Sequence, residues 1–231
     1  MNNFQNQSFH ELLSPQYLPD ILQGQDLLPV ALFDLDGTLT DPGLGITNCV
    51  QYALKHFDII PATREELYPY IGPPLVYSFR EFHGLSEVQA EQAVALYRER
   101  FSSLGMLENE LIDGVPELLE WLISQGISPI VATSKPETTA VEILHKFELA
   151  QYFELICGAT FDTNRVHKAD VIAYLLEQIG TPEDILMVGD TEFDVLGAAA
   201  HGIKTIGVAW GYGKVEAMEA AGAIAIAHDM D

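Results

Sequence analysis

The feature that most restricts the fold of this chain is a series of short, apolar, β-rich runs that alternate with helical segments. The runs are Pro29–Asp34, Ser128–Thr133, Tyr152–Cys157, Ile185–Gly189, Thr205–Ala209 and Ala223–Ala227. Several are apolar on both faces. A strand that meets water on one face alternates apolar and polar residues, whereas one covered on both sides does not. Between them, helices are predicted over Val115–Ser124, Glu137–Phe147, His167–Ile179 and Glu192–Ala200. Pro116 and Glu117 suit a first turn, Pro136 precedes the second helix, and Thr191 with Asp194 forms a candidate capping box for the last. The expected fold class is α/β, a doubly wound and mainly parallel sheet.

The stretch between Pro42 and Asp113 departs from this pattern. It holds no convincing strand, and helical periodicity runs through Ile46–Phe57, a short Arg64–Tyr68, Leu75–Phe82 and Val88–Leu104. Ser86 with Gln89, and Thr63 with Glu66, are capping-box candidates. Gly72-Pro73-Pro74 should form a stiff loop. The expected organisation is an N-terminal arm (1–26), an α/β core (27–41 and 113–231) and an all-helical inserted domain (42–112). In the arm, Leu13, Tyr17, Ile21 and Leu22 have near-helical spacing broken by Pro15 and Pro19, which suits a surface arm packed on the core.

A length of 231 residues fits one such core with a smaller insertion, and 48% hydrophobic content allows a sizeable interior. The formal net charge is -23, with 11 Lys and Arg against 34 Asp and Glu. So acidic a chain repels phosphate backbones, so neither nucleic-acid polymers nor membranes are expected partners. Cys49 and Cys157 lie far apart in apolar segments, as expected of buried thiols in a reducing compartment. No window reaches membrane-spanning length, and residues 1–26, without Lys or Arg, do not read as a signal peptide. A cytoplasmic location is the expectation. Oligomeric state is not legible.

The chemistry begins at Phe33-Asp34-Leu35-Asp36-Gly37-Thr38. Asp34 falls at the carboxyl end of an apolar strand, where open α/β sheets bind ligands. Asp36 follows two residues later, and two such carboxylates repel each other unless a cation lies between them. A second strand, Ile185–Gly189, ends in Asp190, with Asp194 four residues on. Oxygen ligands from separate strand ends suit Mg²⁺; Asp194 can also serve as a helix cap. A third strand ends in Thr133-Ser134-Lys135, where Thr133 can donate to a phosphate oxygen and Lys135 either does so too or points outward. Lys168 opens a helix, and in a chain with so few cations a phosphate role is the expectation.

Taken in order, Asp34-x-Asp36-Gly-Thr38, Thr133 with Ser134, Lys168 and Gly189-Asp190-x-x-x-Asp194 resemble the four motifs of haloacid dehalogenase superfamily phosphatases. The helical insertion is similar to that family's C1-type cap. Gly72-Pro73-Pro74, Thr133-Ser134-Lys135-Pro136 and Ile206–Gly213 are similar to phosphoglycolate phosphatase-like members, and bacterial 5′-nucleotidase-like members look equally close. The resemblance spans about residue 28 to the end. It implies Mg²⁺ as cofactor, a small-molecule phosphomonoester as substrate, Asp34 as nucleophile and Asp36 as general acid and base. It also implies Thr133, Ser134 and Lys168 on the phosphate. The metal falls to Asp34, the main-chain carbonyl of Asp36 and Asp190, with Asp194 as ligand or support. The cap would supply leaving-group selectivity, with Gly72, Pro73 and Arg80 as candidates; Arg80 reads more readily as a surface cation. Asp36 argues against a dehalogenase, which has no alkoxide to protonate, and Lys55, within a helix, argues weakly for a phosphonate hydrolase. A sugar-phosphate mutase keeps the same motifs, and a non-catalytic phosphate-ligand binding protein is the alternative outside enzymology.

Overall fold

The computed structural model describes residues 29–230 apart from 62, 162, 163 and 183. The arm expected at 1–26 lies outside the described residues. The strands are β1 (Val30–Phe33), β2 (Thr40–Asp41), β3 (Glu110–Leu111), β4 (Ser128–Pro136), β5 (Ile156–Ala159), β6 (Ile185–Gly189), β7 (Lys204–Val208) and β8 (Ala225–Ala227). The helices are α1 (Gly43–Lys55), α2 (Leu75–His83), α3 (Glu87–Arg100), α4 (Val115–Ser124), α5 (Glu137–Lys146), α6 (Lys168–Ile179), α7 (Glu192–Ala199) and α8 (Val215–Ala221).

Six strands form one parallel sheet in the order β5-β4-β1-β6-β7-β8. The expectation of a doubly wound α/β sheet holds. Alternate residues of a strand point to opposite faces. Val30, Leu32, Ile130, Ala132 and Met187 form one face of the core with Val171, Ile172 and Leu175 of α6 and Ala198 of α7. The alternate residues Ala31, Phe33, Val131 and Val188 are buried as well. That double burial is why these runs are apolar throughout.

The chain order places β1 in the middle. From there it builds β4 and β5 on one side, then crosses back to β6, β7 and β8 on the other. Such a reversal leaves a crevice at the carboxyl ends of the central strands. Asp34 follows β1, Asp190 follows β6, and Thr133 lies in β4, so three adjacent strands deliver their polar ends to one edge.

The chain divides into two compact units, one made of the chain up to Leu39 and from Leu111 on, the other of Thr40–Glu110. The second unit is helical apart from the β2–β3 ribbon at its two ends, a ribbon too short to leave a periodic signal. Its α3 starts with the expected capping box between Ser86 and Gln89. The helix expected to reach Leu104 instead gives way at Phe101–Gly105 to a π-turn. Close packing explains it: a Cβ on Gly105 would lie 2.5 Å from the Cys49 sulfur of α1. The box expected between Thr63 and Glu66 does not form. Glu65–Tyr70 is a 3₁₀ turn containing Pro69, and Thr63 bonds Glu65 instead. Within this unit Arg100 makes a bidentate pair with Glu108 at 2.8 and 2.9 Å, and Tyr70 donates to or accepts from His83 Nδ1 at 2.7 Å inside an aromatic group with Phe79 and Phe82.

Elsewhere the differences are local. The strand expected from Tyr152 begins at Ile156, because Ala150–Tyr152 closes a 3₁₀ turn and the Tyr152 hydroxyl bonds Glu120 at 2.9 Å. The α8 helix was not anticipated; it is short and lacks a side-chain cap. Neither cysteine is in a disulfide and both are buried; burial pushes the Cys157 thiol up to about 11. Leu32, fully buried in the central strand, gives the first prediction. Leu32→Ala should destabilise the protein by about 2–5 kcal/mol, read as a lower midpoint in urea unfolding; an unchanged midpoint would show that β1 is not the structural centre.

Candidate active site

The site is assembled from four chain segments of one unit. Asp34 sits one residue beyond β1, its backbone N–H donating to Val188 O at 2.9 Å. Lys168, the first residue of α6, reaches back across the sheet edge. Its ammonium donates to Asp34 Oδ1 at 2.7 Å and to Ala132 O at 2.7 Å, and pairs with Asp194 Oδ1 at 2.6 Å. Burial opposes that charge, yet the Asp194 and Asp34 carboxylates outweigh it and hold Lys168 above the ordinary lysine value. Lys168 is only 4% exposed, so it is not the solvated helix-surface lysine that its position would suggest.

Asp194 is engaged through both oxygens. Oδ2 accepts from the Thr191 backbone N–H at 3.1 Å and from the Thr191 hydroxyl at 2.9 Å, while Oδ1 faces Lys168. The capping box expected for α7 is therefore present, and the same residue orients Lys168. Gly197 permits the approach: a Cβ there would lie 2.6 Å from the Lys168 side chain.

Lys135 resolves an alternative left open by the sequence. It points inward and donates to Asp36 Oδ2 at 2.5 Å. The cause is a bulge in β4. Ala132 pairs with Cys157 and Pro136 with Ala159, so Thr133, Ser134 and Lys135 lie opposite Gly158 alone. A bulge re-aims side chains that a regular strand would send to alternate faces. Thr133 is buried, its hydroxyl accepting from the Lys135 N–H at 3.2 Å, and Ser134 is half-buried. Burial raises Asp36 above its usual value, with Lys135 pulling in the opposite direction.

Asp190 lies at the other side of the crevice. Its Oδ2 accepts from the Tyr212 N–H at 2.7 Å, and its Oδ1 is buried with no hydrogen-bond partner among the described residues. Burial, then the Asp194 and Asp34 charges, push Asp190 well above the carboxylate range. Ligand atoms of Asp34, Asp190 and Asp194 all lie within 4.8 Å of one another. With Asp36, four carboxylates face two ammonium groups, Lys135 and Lys168. The three clustered acids offer oxygen donors, including the buried Asp190 Oδ1 that has no hydrogen-bond partner among the described residues. This set fits a divalent cation.

The remaining sequence candidates, Gly72, Pro73 and Arg80, belong to the second unit. Gly72 has φ +106°, a conformation open to glycine, Pro73 is half-buried, and Arg80 is exposed on α2. What sequence reasoning missed is the Trp210–Gly213 loop. The Trp210 indole N–H donates to Thr38 O at 3.2 Å, and Tyr212 holds Asp190. The only available signal was a Gly-Tyr-Gly run after a strand, which had been noted as a family likeness without a role.

Buried carboxylates and lysines gather at the switch point of a doubly wound sheet, an arrangement that suits phosphoryl chemistry. The chain belongs to the haloacid dehalogenase-like hydrolase family, whose model matches residues 31–208. It is 45% identical to a 5′-nucleotidase of Pseudomonas aeruginosa over 83% of this chain and 87% of that one. It is 43% identical to tyrosine-protein kinase PtkA of Mycobacterium tuberculosis over 86% of this chain and 68% of that one. Phosphoglycolate phosphatase 1 of Pseudomonas aeruginosa is 34% identical over 79% and 70%. A crystal structure of a predicted phosphatase from Clostridium acetobutylicum superposes with a TM-score of 0.85 at 42% identity, over 89% of this chain and 96% of that one.

The Lys168 contacts generate a prediction. Lys168→Met leaves the Asp34 and Asp194 carboxylates buried without their partner, which costs about 3–5 kcal/mol. Urea unfolding in the presence of a chelator should show that loss. An unchanged midpoint would mean that the acids carry protons rather than charge.

Proposed function

We propose that this protein is a Mg²⁺-dependent phosphomonoester hydrolase that works through an aspartyl phosphate on Asp34 and acts on a small phosphorylated metabolite. The observation that carries the reading is the separate engagement of the two acids of one turn. Asp34 is held by Lys168 and Asp36 by Lys135, 2.7 and 2.5 Å away, which fits two carboxylates with different tasks.

In the first step an Asp34 oxygen attacks phosphorus in line, the ester P–O bond breaks, and Asp36 gives its proton to the departing oxygen. The burial that raises Asp36 favours the protonated form this requires. In the second step Asp36, now a carboxylate, takes a proton from water as that water attacks the phosphorus. Phosphate leaves, Asp34 is regenerated, and Asp36 is again protonated. Lys168 and Thr133, with Ser134 beside it, are the proposed phosphate contacts, offsetting charge on the transferring oxygens. Mg²⁺ would be held by Asp34, Asp190 and the Asp36 carbonyl, and when bound it supplies charge neutralisation for an anionic nucleophile meeting a dianion. Asp194, with both oxygens engaged, is proposed to support Lys168 and the metal acids rather than to lead the ligand set.

For the leaving group, a 5′-nucleoside monophosphate comes ahead of phosphoglycolate. Support comes from the higher identity and fuller coverage of the relative named for that activity. Gly72, Pro73 and Arg80 are the proposed determinants of that preference.

The test is phosphate release from a panel of nucleoside monophosphates, phosphoglycolate, sugar phosphates and pyrophosphate, with Mg²⁺ and with chelator. Release should need Mg²⁺, and Asp34→Asn should lower kcat by at least a thousandfold with an unchanged far-ultraviolet circular dichroism spectrum. Near wild-type turnover by Asp34→Asn would refute the nucleophile. Isomerisation of a sugar phosphate without net phosphate release would move the assignment to a mutase.

A further inference from the structure

The loop after β7 contributes no carboxylate, lysine or hydroxyl to the chemistry above, yet it touches two parts of the site at once. The Tyr212 backbone N–H donates to Asp190 Oδ2 at 2.7 Å. Two residues earlier, the Trp210 indole N–H donates to the carbonyl of Thr38 at 3.2 Å, in the turn that carries Asp34 and Asp36. The loop between them lies against the acid itself. A Cβ on Gly211 would collide with the Asp190 side chain, and one on Gly213 with the Asp190 carbonyl. Gly37 (φ +83°), in the nucleophile turn, stands just as close, and a Cβ there would collide with the same carboxylate. Asp190 is thus closely approached by glycines of two segments far apart in sequence.

We infer that the Trp210–Gly213 loop is a positioning element that selects which Asp190 oxygen meets the metal and ties that acid to the nucleophile turn. The inference rests on the proposal above that Asp190 holds the cation. A carboxylate has two oxygens, and a free one rotates between them. Here the Tyr212 N–H occupies Oδ2, the backbone at Gly37 and Gly211 approaches the group closely, and Oδ1 is left buried with no hydrogen-bond partner among the described residues. Fixing the ligand atom before the cation arrives removes the ordering cost from binding. The Trp210 contact extends this to Thr38, so the backbone of the Asp34–Thr38 turn and the Asp190 carboxylate are referenced to one short loop. Trp210 and Gly211 are positioning residues: neither needs to touch substrate.

Equilibrium binding of Mn²⁺ to the full-length protein, followed by the electron paramagnetic resonance signal of the free ion, tests the inference without relying on turnover. Trp210→Phe keeps an aromatic ring and removes the donor; Gly211→Ala crowds the Asp190 side chain; Asp190→Asn is the reference. Expected are a Kd raised at least tenfold by Gly211→Ala, about threefold by Trp210→Phe, and loss of binding in Asp190→Asn. In turnover, the Mg²⁺ concentration for half-maximal activity should rise in the same order, while KM for the phosphomonoester at saturating Mg²⁺ stays within twofold. A loss of general stability would not divide the parameters in this way. If Gly211→Ala does not fold, Trp210→Phe decides alone. Wild-type Mn²⁺ affinity in the folded loop variants, with Asp190→Asn impaired, overturns the loop's role and leaves the metal reading standing. Wild-type affinity in Asp190→Asn overturns both.

Discussion

Four buried or half-buried carboxylates at the carboxyl edge of one sheet are the constraint from which the rest of the structure follows. Like charges this close in a low-dielectric setting repel strongly. Asp34, Asp190 and Asp194 lie within 4.8 Å of one another by their ligand atoms, and burial raises Asp36, Asp190 and Asp194 above their ordinary values. Such a group survives in a folded chain only with fixed compensation. Lys168 pairs with Asp34 and Asp194 and Lys135 with Asp36, while Asp190 has the Tyr212 N–H on one oxygen and no hydrogen-bond partner among the described residues on the other. An acidic chain with 11 basic residues places two of them, buried, in this one site.

The sheet makes the arrangement geometrically inexpensive. In-register parallel pairing of β1 with β4 and β6 brings Asp34, Thr133 and Asp190 together although they are far apart in sequence. The deviations from regular structure occur where the site needs them. The β4 bulge turns Lys135 inward against Asp36, and Gly158 opposite leaves space for it. Gly197 in α7 lets the Lys168 stem pass. Each is a local departure from the best strand or helix residue, explained by the position of a single charged side chain.

That pattern also explains what could be read in the sequence. Asp34, Asp36, Asp190, Thr133 and Lys168 were legible because each stands at the end of an apolar run or the start of a helix, where a polar residue has no packing reason to be. The sheet was legible for the same reason: its strands are buried on both faces. Lys135 was not, since its direction depends on a register shift relative to β5 that involves residues of another segment. The Phe101–Gly105 π-turn and the failed Thr63 cap were likewise decided by packing partners and by Pro69. The Trp210–Gly213 loop was the least legible part, because it acts through a backbone amide, an indole N–H and the absence of side chains. None of these carries a residue-type signature of chemistry.

The division of labour between the two units follows from the same logic. Asp34, Asp36, Thr133, Lys135, Lys168, Asp190 and Asp194 all lie in the α/β unit, at strand ends and helix starts. In the inserted unit Arg64 is spent on Leu44 O and Thr47, and Arg100 on Glu108, so those cations serve the unit's own fold, while Arg80 is exposed. The ion pairs of Lys135 and Lys168 are made to Asp36, Asp34 and Asp194 of the α/β unit itself, and one fold can host different chemistries through its variable segments. On the proposed reading, reaction class is written in a few strand ends, and substrate preference in Gly72, Pro73 and Arg80, which take no part in those pairs.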